Sequence, residues 1–177
     1  YGHSVYCDET GGDYYDFIEL TEVPAGELGI AVGDVSGHGI AAALLMASTR
    51  AVLRSHTLHD YKDLAALFDH LNRHVANDVT EGQFVTLFYG VLDPDSRNLF
   101  WASAGHDPAL HIKAGAGHIE ELPNTGLPIG ILPETDYEQL GPVAIAPGDL
   151  LVIGTDGIWE ARNAAGEMFG KQRFHAL

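Results

Sequence analysis

A short glycine-rich turn between an apolar strand pattern and an apolar helix pattern constrains this chain more than any other stretch. Residues 28–32 are rich in strand formers, the sequence GDVSGHG follows at 33–39, and residues 40–46 predict a buried helix. Asp34 therefore lies at a strand-to-helix junction, where glycines allow the backbone to approach a ligand closely. Two interpretations remain open at this stage. Either Asp34 or Ser36 caps the helix, or the turn binds a ligand.

A second acidic residue lies beside a glycine pair at the start of the preceding strand. Residues 11–20 begin with Gly-Gly and continue with aromatic and β-branched residues, which favours a strand. Side chains alternate between the two faces of a strand, so Asp13 and Asp16 do not converge on one ion. We favour Asp13 as the ligand and assign Asp16 a structural or solvated role. Residues 24–27 predict a hairpin, which places Asp13 and Asp34 on neighbouring strands.

The remaining pattern predicts one domain, with two helices inserted in a mostly antiparallel β arrangement. The first helix is expected from about residue 39 to 56, and the second carries apolar residues at three- and four-residue spacing between 64 and 75, with Asp63 near its start. Further strands are predicted at 84–92, 98–103, 109–113 and 150–153, a helix start at 170–177, and little regular structure at 115–133.

A third acidic residue, Asp156, follows the last predicted strand in the sequence Thr-Asp-Gly. Asp13, Asp34 and Asp156 share this setting, and none has a basic residue within three positions. Clustered carboxylates repel one another unless a cation lies between them. Oxygen ligands of this kind suit Mg²⁺ or Mn²⁺, whereas the Cys and His spacing typical of zinc sites is absent from the sequence. The three motifs together predict a cation site.

The net charge of the chain disfavours two classes of binding partner. The chain carries 25 Asp and Glu against 9 Lys and Arg, a net charge of −16. Such a surface repels nucleic acid and disfavours an anionic membrane, so we expect contact with neither. No apolar run approaches the roughly 18 residues of a membrane span. The single Cys7 excludes an intramolecular disulfide and suits the reducing cytoplasm.

Six motifs follow one another in a familiar order and cover nearly the whole chain. They are GGDYYDF (11–17), VGDVSGHGIAAALLMA (32–47), FVTLFYGVLD (84–93), ASAGHDPAL (102–110), GLPIGI (126–131) and VIGTDGIWEARNAAGEMFG (152–170). In these motifs the chain resembles the catalytic domain of the SpoIIE/RsbU-like serine phosphatases, a bacterial branch of the metal-dependent PPM (type 2C) protein phosphatases. The resemblance implies an α+β fold, an α-β-β-α sandwich in which two packed antiparallel β-sheets are flanked by helices.

The same resemblance implies a metal centre between the sheets, with two Mn²⁺ or Mg²⁺ ions as cofactors. Asp34 is expected to bridge both ions, the Val35 backbone carbonyl to assist at one, and Asp13 and Asp156 to supply further carboxylates. Such ions activate water for direct attack on phosphoserine or phosphothreonine. The implied enzyme is a cytoplasmic protein-serine/threonine phosphatase of bacterial signal transduction and partner switching. Its expected substrate is a STAS-type anti-sigma-factor antagonist, and its expected covalent partner is a sensor or regulatory domain. Homodimer formation is left open.

Two departures from the family pattern bear on this expectation. The family places one more metal-binding Asp in a terminal strand, which does not occur before Leu177. We therefore expect residues 1–177 to be a single domain, clipped at both ends from a longer multidomain signalling protein, with its C-terminal strand missing. The alternative is a catalytically weak or inactive phosphatase-like regulatory binding module.

The second departure concerns phosphate binding. Eukaryotic type 2C enzymes hold the phosphate with an Arg near the first acidic motif. No Arg precedes Arg50 in this chain, so we expect the metals and the backbone to hold the phosphate.

Four histidines are candidates for chemical roles. His38 and His106 belong to glycine-flanked motifs, in which a turn role and a general-acid role both remain open. His70 and His74 lie four residues apart on the second predicted helix, a spacing that can hold a metal. No HExxH motif surrounds them, so we favour solvated side chains.

Overall fold

A computed structural model of the chain describes residues 1–5, 10–20, 26–57, 62–79, 82–115 and 118–174. The described part contains eight strands and three helices. In chain order they are β1 (Tyr14–Leu20), β2 (Glu27–Val35), α1 (Ile40–Thr57), α2 (Leu64–Val75), β3 (Val85–Asp93), β4 (Asn98–Ala104), β5 (Ala109–Ile112), β6 (Ile119–Leu122), β7 (Leu140–Ala144), β8 (Leu150–Val152) and α3 (Lys171–Phe174).

The strands form two antiparallel sheets, which confirms the predicted α+β class. The first sheet has the order β1-β2-β3-β4-β7 and the second the order β6-β5-β8. Apolar side chains of both sheets meet in a shared core between them, formed mainly by Phe88, Leu99, Trp101, Ala109 and Leu122. The period-two pattern of β3 and β4 thus buries one face against the second sheet and the other against helices.

Helices α1 and α2 cover the other face of the first sheet. Their buried residues join strand residues in a second core, to which Leu53, Phe68, Leu71, Leu87 and Tyr89 contribute. Asp63, predicted to lie near the start of α2, caps this helix, because its carboxylate accepts a hydrogen bond of 2.9 Å from the Ala66 N–H. None of the described helices has the length and apolar character needed to span a bilayer.

The prediction of little regular structure in residues 115–133 is wrong in one respect, because β6 lies there, and β7 follows beyond it. Both strands lie at the edge of their sheets. The sequence of β6, IEEL, lacks an alternating apolar pattern, and β7 contains Pro142. Proline is tolerated at a sheet edge, but it weakens the strand signal in the sequence. Pairing with β5 and β4, rather than local propensity, makes these segments strands.

Some predicted features lie outside the described residues. Cys7, residues 21–25 of the first hairpin and residues 175–177 of the predicted C-terminal helix belong to this group. The hairpin itself is supported by the pairing of Leu20 with Glu27, and the helix start at 170–177 by α3.

Candidate metal centre

Asp13 and Asp34 meet at one end of the first sheet. Tyr14 pairs with Gly33, so continuing the register by one residue places Asp13 opposite Asp34. Neither residue is fully buried. Each carboxyl group affects the pKa of the other, so the two side chains lie near one another. The pairing of neighbouring strands predicted from the hairpin therefore brings these two acidic residues together.

Asp156 reaches the same place from the second sheet. It follows β8 in a turn in which the Glu160 N–H donates a hydrogen bond of 2.8 Å to the Asp156 carbonyl. The preceding Thr155 hydroxyl interacts with the Asp13 carboxylate, and the charge of Asp156 acts on both other carboxylates. The packing of the two sheets thus unites three residues that are 143 positions apart at the extremes.

The cluster is electrostatically unfavourable as it stands. Burial, followed by the charges of Asp13 and Asp156, raises the pKa of Asp34 to about 7. Burial also raises the pKa of Asp13, although the Thr155 hydroxyl acts in the opposite direction. Within the described ranges no Lys or Arg forms an ion pair with any of the three. A divalent cation would relieve this repulsion, and the carboxylate oxygens are the donors that Mg²⁺ and Mn²⁺ prefer.

Gly12 and Val35 define the wall of the cluster next to Asp34. A Cβ atom at position 12 would lie 2.9 Å from the Val35 carbonyl oxygen and 3.0 Å from its nitrogen. Only glycine therefore lets the segment before β1 lie against this peptide without covering it. The donor set fits a hard cation in its chemistry. In the described part of the chain, however, no three Asp, Glu, His or Cys side chains already converge to enclose one ion.

The capping interpretation of the turn is wrong for both residues considered. Asp34 lies inside β2, six residues before α1 begins. The Ser36 hydroxyl accepts a hydrogen bond of 2.9 Å from the Phe84 N–H, and the Ser36 N–H donates one of 3.0 Å to the Phe84 carbonyl. Gly37 and Gly39 have positive φ values of 91° and 84°, so the loop after Ser36 needs glycine at both positions.

Asp16 has the structural role predicted for it. It lies on the helix-facing side of β1, where its carboxylate accepts hydrogen bonds of 2.6 and 2.7 Å from Arg54 and one of 2.8 Å from the Tyr14 hydroxyl. Burial alone would raise the pKa of Asp16, but these donors, with Arg50 nearby, bring it below its ordinary value. Asp16 therefore ties β1 to α1.

The four histidines occupy different environments. His38 is exposed on the loop after β2, whereas His106 is 4% exposed. The choice between a turn role and a general-acid role for these two residues stays open. The His70 ring lies against His56 of α1, with 4.2 Å between ring centroids. Burial and the neighbouring His56, Arg73 and His74 lower the pKa of His70.

Three contributors to the site escaped sequence reasoning. Thr155 interacts with Asp13, Gly12 packs on Val35, and Thr86 lies opposite Asp34 in the β2–β3 register. Threonine in a strand and glycine beside an acidic residue are common. The signal that could have identified Thr86 was the register itself, which follows only when β3 is paired with β2.

A cavity of about 730 Å³ extends from the cluster into the space between the sheets. Asp13 and Thr155 line its polar part, and Phe17, Ile30 and Leu151 are among its apolar residues. Of the three acidic residues, Asp13 lines this cavity, whereas Asp34 and Asp156 do not.

A family profile and a curated relative match the chain over most of its length. The sequence profile of the family described as "Stage II sporulation protein E (SpoIIE)" matches residues 24–177. The chain is 32% identical over 166 residues to the phosphoserine phosphatase RsbU of Bacillus subtilis (strain 168), a match that covers 92% of this chain and 47% of that protein. The chain thus spans about half the length of this curated relative.

Solved structures of similar fold include the RsbU and RsbW domains of Rv1364c from Mycobacterium tuberculosis. That match has a TM-score of 0.72 at 27% identity and covers 89% of this chain and 43% of that one. The PP2C phosphatase domain of SpoIIE from Bacillus subtilis, solved with a fragment of its regulatory domain, matches with a TM-score of 0.71 at 24% identity. It covers 86% of this chain and 43% of that one. The observed two-sheet architecture is thus that of PP2C-like domains.

Proposed function

The chain belongs to the SpoIIE family of PPM-type phosphatases, and on this basis we propose that it is a metal-dependent protein-serine/threonine phosphatase domain. The observation that carries the proposal is the meeting of Asp13, Asp34 and Asp156 at one end of the two sheets without a compensating cation in the described residues. A chain that only needed these residues for folding would gain nothing from placing three carboxylates together.

We assign the ligand roles as follows. Asp34 would be the central ligand shared by the ions, the Val35 backbone carbonyl would assist, and Asp13 and Asp156 would supply further carboxylates. Two Mn²⁺ or Mg²⁺ ions bound there would activate water and neutralise charge on the phosphoryl group. Binding them requires Asp34, whose pKa is raised to about 7, to be deprotonated, because carboxylate ligands bind metals in their ionised form. Thr155 and Gly12 keep Asp13 and the Val35 carbonyl in place.

The substrate we propose is a phosphoserine or phosphothreonine side chain of a bacterial signalling protein, in particular a STAS-type antagonist of an anti-sigma factor. The support is similarity to RsbU, which is named a phosphoserine phosphatase. We further propose that residues 1–177 form one catalytic domain of a longer cytoplasmic protein that carries a regulatory domain. The share of RsbU that the chain covers, 47%, supports this arrangement.

The test is hydrolysis of a phosphoserine-containing STAS protein by the purified chain. We expect phosphate release with Mn²⁺ or Mg²⁺, none after EDTA treatment, and a loss of at least about 10³-fold for Asp34→Ala, the scale set by removal of central catalytic groups. Asp63→Asn is the matched control, because asparagine also caps a helix. The Asp63 carboxylate bonds to the Ala66 N–H rather than to any residue of the acidic cluster. Activity that survives both EDTA and Asp34→Ala would overturn the mechanism. If the chain instead retains the phosphoprotein without hydrolysing it or binding metal, it is a regulatory binding module.

A further inference from the structure

Asp156 lies on a segment with little buried surface. Among residues 156–174, all of which the structure describes, Trp159 alone is buried, at 8% exposure, and Asp156 itself is exposed. A segment with few buried contacts opens locally at a low cost in free energy. The position of the Asp156 carboxylate therefore depends on the few contacts that this segment makes.

Hydrogen bonds join the turn that carries Asp156 to the segment before α3. The Glu160 N–H donates to the Asp156 carbonyl at 2.8 Å, and the Gly170 N–H donates to the Trp159 carbonyl at 2.8 Å. The Trp159 ring also packs against Phe174 of α3, with 5.7 Å between the ring centroids. The turn and α3 thus form one unit, so a contact that fixes α3 also fixes the turn that carries Asp156.

Lys171, the first residue of α3, connects this unit to the loop between β4 and β5. Its Nζ atom forms an ion pair with the Asp107 carboxylate and lies 5.0 Å from the centroid of the Trp159 ring. A cation over the face of an indole is attracted by the ring as well as by a neighbouring carboxylate. One ammonium group therefore contacts both the unit and the loop.

The loop that carries Asp107 is attached to the first sheet. The Gly105 N–H, two residues before Asp107, donates a hydrogen bond of 2.9 Å to the Gly126 carbonyl. Strand β4, which precedes the loop, belongs to the same sheet as β2, the strand that carries Asp34. The ion pair therefore holds the Asp156 turn to a framework that it shares with Asp34.

We propose that Lys171 is a positioning residue, which holds the Asp156 turn in the metal-binding arrangement through Asp107 and Trp159 and thereby raises the affinity of the centre for divalent ions. The proposal rests on the proposed function, since it requires Asp156 to act as a ligand. When only a fraction of the molecules holds a ligand in place, the apparent dissociation constant increases by the inverse of that fraction. Loss of the ion pair should therefore weaken ion binding while the folded core remains intact.

The first measurement is Mn²⁺ binding by the full chain, followed by the paramagnetic resonance signal of free Mn²⁺. Lys171→Met keeps an unbranched apolar side chain and removes the charge, so the ion pair and the attraction to the Trp159 ring are both lost. We expect the Mn²⁺ dissociation constant to rise about 3- to 10-fold, the scale of one exposed ion pair and one exposed cation–π contact. Lys171→Arg keeps the charge and both contacts, so it should bind within about twofold of the wild type.

Asp107→Asn tests the partner of Lys171. It removes the charge of the ion pair and leaves the ammonium group over Trp159, so we expect a smaller increase in the dissociation constant, about 2- to 5-fold. The double variant with Lys171→Met should bind no more weakly than Lys171→Met alone, because two residues that act through one contact are not additive. Fully additive losses would show two independent effects and would overturn the role assigned to the pair.

Lys113 supplies the matched control. It forms an ion pair of 2.9 Å with Glu120 of β6, in which the two side chains are 44% and 40% exposed, compared with 53% and 32% for Lys171 and Asp107. Lys113→Met removes the same charge from a similarly exposed pair within the second sheet. It should leave the Mn²⁺ dissociation constant unchanged, which separates positioning of the Asp156 turn from a general effect of net charge.

Hydrogen exchange in EDTA tests the contact without any metal. The Glu160 and Gly170 N–H groups belong to the unit that the ion pair holds, so they should exchange about 3- to 10-fold faster in Lys171→Met than in the wild type. The N–H groups of β3 and β4 should exchange at unchanged rates, because the core remains folded. This readout distinguishes a local release of the turn from a loss of global stability.

The outcomes separate the two proposals. If Asp34→Asn abolishes Mn²⁺ binding while Lys171→Met binds as the wild type does, the positioning role is overturned and the proposed function stands. The positioning role is equally overturned if Lys113→Met weakens binding as much as Lys171→Met, or if exchange at Glu160 and Gly170 is unchanged. If wild type and Asp34→Asn do not differ in Mn²⁺ binding, the proposed function itself fails, and with it the role assigned to Lys171.

Discussion

Replacing the central carboxylate should make the metal-free protein more stable while destroying its function. Ionisation of Asp34 is unfavourable in the folded protein, because burial and the charges of Asp13 and Asp156 raise its pKa to about 7. Asp34→Asn keeps the size and hydrogen-bonding capacity of the side chain and removes the charge. In EDTA we therefore expect the variant to unfold at a higher urea concentration than the wild type.

The magnitude follows from the pKa. The difference between the ordinary value of 3.8 and about 7 corresponds, at 1.36 kcal/mol per pKa unit, to roughly 4 kcal/mol. The carboxyl group is only partly buried and shares the repulsion with two neighbours, so solvent screening reduces the expected gain to about 2 kcal/mol near pH 8. Losses of activity that accompany gains of stability are common at functional sites.

The stability difference between Asp34→Asn and the wild type should depend on pH. The folded-state pKa of Asp34 lies above the unfolded value, so the ionised group destabilises the fold fully above about pH 7. As the pH falls from about 7 to below 3.8, protonation removes this penalty, and the advantage of Asp34→Asn over wild type should vanish. Mn²⁺ should reverse the order at pH 8, because an ion that binds only the folded wild type stabilises it by mass action.

Asp16→Asn is the control for this experiment. Asp16 lies on the neighbouring strand, but Arg54 and Tyr14 favour its charged form and lower its pKa. Removing that charge should destabilise the protein by about 1–3 kcal/mol, since Arg54 loses a bidentate partner. Urea unfolding in EDTA at pH 5 and pH 8 measures both variants. The reasoning is refuted if Asp34→Asn lowers stability at pH 8, or if the two substitutions change stability in the same direction.

Three further predictions concern the scaffold. The pKa of Asp149 is lowered to about 2 by hydrogen bonds from the Ala114 N–H, the His111 ring and the N–H of residue 146. The stability that ionised Asp149 contributes should therefore be present above pH 3.8 and lost as the pH falls towards 2. Urea unfolding between pH 5 and pH 2 should show a smaller dependence of stability on pH for Asp149→Asn than for the wild type. Gly12→Ala should destabilise the protein by about 1–3 kcal/mol and weaken Mn²⁺ binding, because its Cβ would clash with the Val35 peptide. Asn72→Ala should cost about 2–3 kcal/mol in urea unfolding, because the buried amide serves three backbone groups of residues 130–133, and a stability within 0.5 kcal/mol of wild type would contradict this.

Most of the first sheet could be predicted from local pattern. Alternation in residues 14–20 and the hairpin after them place Asp13 and Asp34 on neighbouring strands, and the observed register agrees. The face of Asp16 followed from the same alternation. These predictions succeeded because a strand repeats every two residues, so its pairing with a sequence neighbour leaves few alternatives.

Features that depend on the packing of distant segments were less accessible. The arrival of Asp156 beside Asp13 rests on the way the second sheet packs on the first, which no local pattern encodes; the family resemblance suggested it. Strand β6 gains its structure from β5 rather than from its own residues. His106 looked like a candidate acid in a glycine-flanked motif, and only the tertiary fold reveals that its ring is buried against Thr86.

The central claim is that Asp13, Asp34 and Asp156 bind divalent cations. The most direct test is anomalous X-ray scattering at the manganese absorption edge from crystals of the Mn²⁺-loaded protein. We expect a peak in contact with the Asp34 carboxylate, flanked by Asp13 and the Val35 carbonyl, and we expect it to disappear in Asp34→Asn. Peaks confined to other places, such as the His56–His70 pair, or a peak at the cluster that persists in Asp34→Asn, would contradict it.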